Sequence, residues 1–230
     1  PSLASAWKAK GVTTPVLAPE GAQFSESLIV PSLNDPATAA IVSIVGVHQY
    51  DSNASSGKLA SSWLPVTKSL NKKLWVTEVS SSGANGPGTI LDGLCTAQLV
   101  HSDLTVAEAN AFCFWWLWDG DSPTNKGSLL GISGTTVVAY KRLFTLGQYS
   151  RFIRPGWVRV SATADPVTGV QVSAYKDPAS SQFAVVLVNT GAETAVSLQG
   201  SSAIASAQLY RTSATEDLKD IGAFSASGTV

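Results

Sequence analysis

Four short, continuous apolar runs separated by amphipathic stretches constrain this chain more than any other feature: residues 12–18, 41–48, 73–77 and 111–117. Strands that are apolar throughout, without in-out alternation, need cover on both faces, which parallel strands flanked by helices receive. The pattern therefore predicts four βα units and excludes a simple sandwich for this part of the chain. Each run ends in polar or aromatic residues: Pro19-Glu20, Gln49-Tyr50-Asp51, Glu78 and Trp118-Asp119. Helices are expected at 58–70, at 89–102, where Ile90, Leu91, Leu94 and Leu99 keep helical spacing, and at 136–153, with a shorter one at 25–33.

Beyond Arg154-Pro155-Gly156 the character changes to alternating Val, Thr, Ser and Gln, with turn signals at Asp165-Pro166, Asp177-Pro178, Asn189-Thr190-Gly191 and Gly200-Ser201. Strands are expected at 157–161, 170–175, 183–189, 194–198 and 205–210, with another beginning at 223–230. This is the spacing of an antiparallel sandwich. The domain reading is thus α/β for residues 1–154 and all-β for 155–230.

An apolar fraction of 44% in 230 residues is ample for a core, while 13% charged residues, a net charge of -1 and no basic cluster longer than Lys72-Lys73 argue against nucleic acid as a partner. The longest apolar stretches fall short of the roughly 20 residues that span a bilayer. Cys95 and Cys113 both lie in apolar contexts and are expected as buried thiols rather than a disulfide. The chain starts at Pro1, contains no methionine and shows no charged-then-apolar leader. It reads as a segment of something longer, and its Ser, Thr, Ala and Gly content suits an exported polysaccharide-degrading protein.

In a parallel barrel the carboxyl ends of the strands converge on one mouth, so Glu20, His48, Tyr50, Glu78 and the residues 115–119 are the candidates for chemistry. Aromatic faces pack on sugar rings and a carboxylate handles the anomeric carbon. On periodicity alone Glu78 fits a salt-bridged strand-end carboxylate as well as a catalytic one, and His48 fits a structural histidine. Trp115, Trp116 and Trp118 cannot all point inward, because strand side chains alternate. Asp119-Gly120-Asp121 lacks the remaining ligands of a calcium loop, and Ser80 to Ser82 have no nucleophile elbow around them. No cofactor or metal is expected.

The run Leu74-Trp75-Val76-Thr77-Glu78-Val79-Ser80 resembles the nucleophile strand of glycoside hydrolase family 30. Residues 17–24 (LAPEGAQF), 45–51 (VGVHQYD) and 109–118 (ANAFCFWWLW) are similar to the family's fifth, sixth and eighth strands, in the right order. Residues 147–160 (GQYSRFIRPGWVRV) are similar to its passage from barrel to side domain. The resemblance implies the C-terminal half of a (β/α)8 barrel, strands five to eight, followed by a β-sandwich, and retaining hydrolysis of β-linked glycans. It implies Glu78 as nucleophile, His48, Tyr50 and Glu20 near the sugar, and Trp116 or Trp118 as an aromatic wall. The family's acid/base lies in an Asn-Glu-Pro motif after the fourth strand, and no Asn-Glu-Pro occurs here. The expected partners are therefore a carbohydrate and either the missing half-barrel or a second copy to close the sheet. A lone Lys126 after Trp118, with no Arg, weakens a preference for an acidic sugar branch. A non-catalytic carbohydrate-binding protein is the alternative.

Overall fold

A computed structural model describes residues 2–50, 65–80, 86, 88–119, 127–200, 204 and 206–224. The backbone divides into two compact units: Pro1–Ser82 with Leu99–Leu117, and Gly83–Gln98 with Trp118–Val230.

The first unit is organised by a four-stranded sheet in the order β1 (Val16–Gly21), β2 (Val42–His48), β3 (Lys73–Val79) and β4 (Ala111–Phe114). Every neighbouring pair is parallel. The continuous apolar runs are read correctly as strands, displaced by a few residues: the first runs on through Glu20, and the fourth stops at Phe114, short of the tryptophans. One face buries Val45, Val47, Leu74, Val76 and Val79 against Phe24, Ile29, Leu33, Leu99, Ala107 and Ala109. Burying one such side chain contributes about 1.5–3 kcal/mol relative to exposure, so this face fixes the sheet. Alternation then turns Gly46 and His48 to the opposite face.

Short helices connect the strands. Within 25–33 only α2 (Val30–Leu33) is helical, followed by α3 (Pro36–Ala39), whose N-cap Asp35 accepts from the Thr38 amide at 2.9 Å. Of the helix expected at 58–70, residues 58–64 lie outside the described residues and α4 (Pro65–Ser69) forms the rest. The strand β3 is entered under control of Asn110, whose Oδ1 accepts from the Leu74 amide at 3.0 Å.

Helix α5 (Ile90–Thr105) supplies residues to both units. In the second unit its first turns meet α6 (Lys141–Ser150) through a buried ion pair. Arg142 is 0% and Asp92 1% exposed; Arg142 Nε donates to Asp92 Oδ2 at 2.8 Å, its Nη2 donates to the same oxygen, and its Nη1 donates to the Gly127 carbonyl. Asp92 Oδ2 also accepts from the Gly88 amide at 3.2 Å. Thr145 Oγ1 donates to the Gly93 carbonyl at 2.7 Å, one turn further along α6.

The expected helix 136–153 is corrected at its start. Residues Thr136–Ala139 form β7, paired antiparallel with β6 (Leu130–Ser133), which in turn pairs with β5 (Trp118–Asp119). Gly134, at φ 61°, opens the two-residue turn between them, and the β-branched Thr136, Val137 and Val138 favour a strand over a helix. Two further antiparallel sheets follow: β10-β9-β8, from Phe183–Asn189, Val170–Lys176 and Val158–Val160, and the hairpin of β11 (Ala207–Arg211) with β12 (Lys219–Phe224). The segment 194–198, expected as a strand, holds only a single bridge residue, Ser197, and among the described residues no strand is laddered to it. The last strand begins at Lys219 rather than 223, and residues 225–230 lie outside the described residues. Among the described residues neither cysteine forms a disulfide; Cys95 is buried as expected, whereas Cys113 is exposed. On β4 it points away from the face that Phe112 packs against the core.

The Arg142–Asp92 pair yields a stability prediction. Truncating one partner leaves the other charge buried without compensation, so Asp92→Ala or Arg142→Ala should each cost about 3–5 kcal/mol, whereas Asp92→Leu with Arg142→Met should recover most of that loss. Urea denaturation followed by tyrosine and tryptophan fluorescence reads the difference.

Candidate active site

Two ladder irregularities place the candidate residues, and both occur at the carboxyl ends of the strands. On β1, Pro19 pairs with Gly46 and Gly21 with Val47, so Glu20 is one residue extra against β2. On β3, Val76 pairs with Val47 and Glu78 with His48, so Thr77 is extra in the same sense. An extra residue re-aims the side chains that follow it. Simple alternation from the buried Val76 would return Glu78 to the helix-covered face; the bulge instead puts Val79 there and releases Glu78. Glu20 sits at φ 66°, a left-handed conformation that costs a non-glycine residue free energy and marks a constrained position.

The backbone around them is pinned. Gln49 donates its amide to the Glu78 carbonyl at 3.0 Å, Tyr50 its amide to the Ala22 carbonyl at 3.2 Å, and Thr77 Oγ1 donates to the Val47 carbonyl at 3.2 Å. Around that frame four side chains converge. His48 Nε2 lies 3.2 Å from Glu20 Oε2, and its Nδ1 lies 3.6 Å from Glu78 Oε1. Tyr50 Oη donates to the same Glu78 Oε1 at 2.8 Å, and the Tyr50 and His48 rings meet edge to face at 5.9 Å. The Glu78 side chain is 23% exposed, enough to meet a ligand while most of it is held by protein.

The Tyr50 phenol is pushed up to about 12, first by burial and then by the carboxylate of Glu78, which accepts its hydrogen bond; a bond to Ser80 acts in the opposite direction. Tyr50 is therefore a hydrogen-bond donor throughout the neutral range. Burial likewise raises the Cys113 thiol, with Glu20 adding to the effect, so Cys113 is not an activated nucleophile.

Glu20, His48, Tyr50 and Glu78 are thus brought together as the sequence suggested. Beyond the end of β4, the Trp115 amide donates to the Val79 carbonyl at 2.8 Å, tying the tryptophans to the residue after Glu78. Trp115 is exposed and meets the half-buried Trp116 edge to face at 6.1 Å. Trp118 is also exposed but belongs to the second unit, on β5. Residues 120–126, with Asp121 and Lys126, lie outside the described residues, as do Asp51, Ser81 and Ser82. Among the described residues no cluster of His, Cys, Asp and Glu could hold a metal, and no helix is long and apolar enough to cross a membrane.

One contributor escaped the sequence reading. A side chain at Gly46 would overlap Glu20 Oε1 and Leu17 Cδ2, so the bare glycine is what makes room for the Glu20 carboxylate. The signal was present: a glycine inside an apolar strand marks a close approach by a neighbour.

The environment of Tyr50 can be checked by absorbance titration. The difference between the chain and its Tyr50→Phe variant should stay flat through pH 10 and rise only near 12. In Glu78→Gln the rise should move to lower pH without returning fully to 10.0, because the burial persists.

No family model matches the chain. It is 30% identical over 200 residues to the glucuronoxylanase XynC of Bacillus subtilis (strain 168), an alignment that takes in 85% of this chain and 44% of that protein. In fold it matches the glycoside hydrolase family 30 subfamily 8 xylanase Xyn30A from Clostridium acetobutylicum with a TM-score of 0.76 at 27% identity, over 97% of this chain and 55% of that one. A family 30 endoxylanase from Clostridium papyrosolvens C71 gives 0.73 at 28% identity, over 96% and 55%. The chain spans about half the length of the relatives it matches. The chain is thus similar in sequence to a glucuronoxylanase and, along nearly its whole length, similar in sequence and fold to two glycoside hydrolase family 30 xylanases, as a homologue of part of each.

Proposed function

We propose that this chain is the nucleophile-bearing portion of a retaining β-glycoside hydrolase acting on a β-linked polysaccharide. The observation that carries the reading is Glu78 itself: a partly exposed carboxylate released by a bulge at a strand end, with Oε1 accepting from Tyr50 and facing His48 Nδ1. A xylan-like substrate is favoured by the relatives, a glucuronoxylanase and two xylanases. An exported location follows from such a substrate, which lies outside the cell. On this reading residues 1–154 are strands five to eight of a (β/α)8 barrel with their helices, residues 155–230 a β-sandwich side domain, and Trp116 or Trp118 an aromatic wall for the sugar.

The chemistry runs in two steps. A Glu78 oxygen attacks the anomeric carbon as the bond from that carbon to the leaving oxygen breaks, and a second carboxylic acid about 5–5.5 Å away protonates that oxygen. The second group, now a carboxylate, then takes a proton from water, which displaces Glu78. Glu20 is engaged with His48 at 3.2 Å and matches a different strand of the family from the acid/base. The proton donor is accordingly assigned to residues outside this chain, in the half-barrel that would complete the sheet. The missing Asn-Glu-Pro keeps one second reading alive, a carbohydrate-binding protein that holds sugar without cleaving it.

An activated 2-fluoro xyloside with a good leaving group separates the two, because it needs little protonation of the departing oxygen. Mass spectrometry should find a covalent adduct on the peptide carrying Glu78, absent from Glu78→Gln and formed at least ten-fold more slowly in Tyr50→Phe. Saturable binding of xylo-oligosaccharides with no adduct would establish the binding protein instead.

A further inference from the structure

Glu20 has a place in this site that neither the acid/base role nor a plain sugar contact describes. Its carboxylate lies over β2 in the space Gly46 leaves, with Oε2 3.2 Å from His48 Nε2. A carboxylate offers acceptors alone, so the nitrogen in hydrogen-bond contact with it must carry the hydrogen, whereas Nδ1, at 3.6 Å, makes no such bond to Glu78. In a neutral imidazole only one nitrogen is protonated. A proton committed to Nε2 leaves the lone pair on Nδ1, the nitrogen 3.6 Å from Glu78 Oε1.

We propose that Glu20 is a positioning residue which, admitted by the absent side chain at Gly46, fixes His48 in its Nε2–H tautomer and so presents an acceptor nitrogen beside Glu78. The groups around His48 agree with that assignment. Tyr50 directs its hydroxyl to Glu78 Oε1 and meets the imidazole with a ring edge, so it does not compete for Nδ1. The site then has a defined polarity: Tyr50 donates toward Glu78, and Nδ1 accepts from whatever hydroxyl or water enters beside them. A sugar that presents a hydroxyl donor there fits, and a deoxy or fluoro analogue at that position leaves Nδ1 without its partner. The Gly46 geometry also explains why Glu20 tolerates φ 66°: the left-handed turn is what carries its side chain across the neighbouring strand.

The inference rests on the reading of this cluster as the active site, but its test does not require activity. The chain contains two histidines, His48 and His101, so uniform ¹⁵N-histidine labelling of the full 230-residue chain gives two imidazoles, assigned by the loss of one set in His48→Gln. Long-range ¹H–¹⁵N correlation at a pH where the ring is neutral identifies the protonated nitrogen. The expected result is the Nε2–H pattern for His48. Glu20→Gln, whose amide can donate as well as accept, and Gly46→Ala, which displaces only the flexible ends of Glu20 and Leu17, should each release the preference toward a mixture. An Nδ1–H pattern in the unsubstituted chain, or an Nε2–H pattern unchanged in both variants, would overturn the proposal. A fluoroglycoside adduct on Glu78 together with either of those patterns would sink the tautomer assignment alone, while the expected tautomer without an adduct would leave it standing and remove the hydrolase.

Discussion

The site depends on a mismatch in strand length. At their carboxyl ends the parallel strands β1 and β3 each take one residue more than β2. Parallel ladders specify register through the face they bury, and here the buried valines of β2 and β3 keep that face intact on both sides of the irregularity. The extra residues can therefore go nowhere except toward the open face. Glu20 and Glu78 flank His48 because β2, the strand between them, takes no extra residue at that end. The geometry of the cluster is in this sense a by-product of core packing: the helix-covered side holds the register, and the other side receives what does not fit.

The second unit is held by a different kind of constraint. Arg142 and Asp92 are fully buried, and the guanidinium satisfies its donors on Asp92 and the Gly127 carbonyl. A pair of this kind adds little net stability over apolar residues of the same volume, yet it tolerates no partial replacement. Its effect is to fix how α6 lies along the first turns of α5, which the Thr145 to Gly93 hydrogen bond repeats a turn later. Further along, Lys141 reaches Asp217 at 2.6 Å and Gln148 reaches Thr212 at 2.9 Å, so α6 also carries the approach to the β11–β12 hairpin. The same helix serves both neighbours by dividing its faces between them.

Much of this was legible from the residues. The four apolar runs gave the parallel sheet because burial on both sides leaves a mark that alternation cannot imitate, and the strand-end residues Glu20, His48, Tyr50 and Glu78 followed from where polar groups interrupt those runs. The departures have physical causes. Residues 136–139 read as the start of a helix because Val137 and Val138 extend the apolar pattern of the helix behind them, while the decisive signal was the glycine at 134, whose left-handed backbone closes a hairpin. The segment 194–198 has a strand's alternation but lacks a partner edge among the described residues, which no local pattern encodes. Bulges are likewise a property of two strands compared, so the orientation of Glu78 could be assumed from a family resemblance but not read from its own neighbours.

The hydrogen bond from Tyr50 makes the two oxygens of Glu78 unequal. Oε1 carries the phenol at 2.8 Å, so negative charge is better accommodated there than on its twin. In the proposed mechanism a carboxylate polarised in this way would present Oε2 as the attacking atom of the first step. In the second step of that mechanism, the departing carboxylate would recover its charge on an oxygen that already accepts a hydrogen bond from Tyr50. On the proposed mechanism Tyr50 would thus serve both steps, orienting Glu78 in the first and taking up its returning charge in the second.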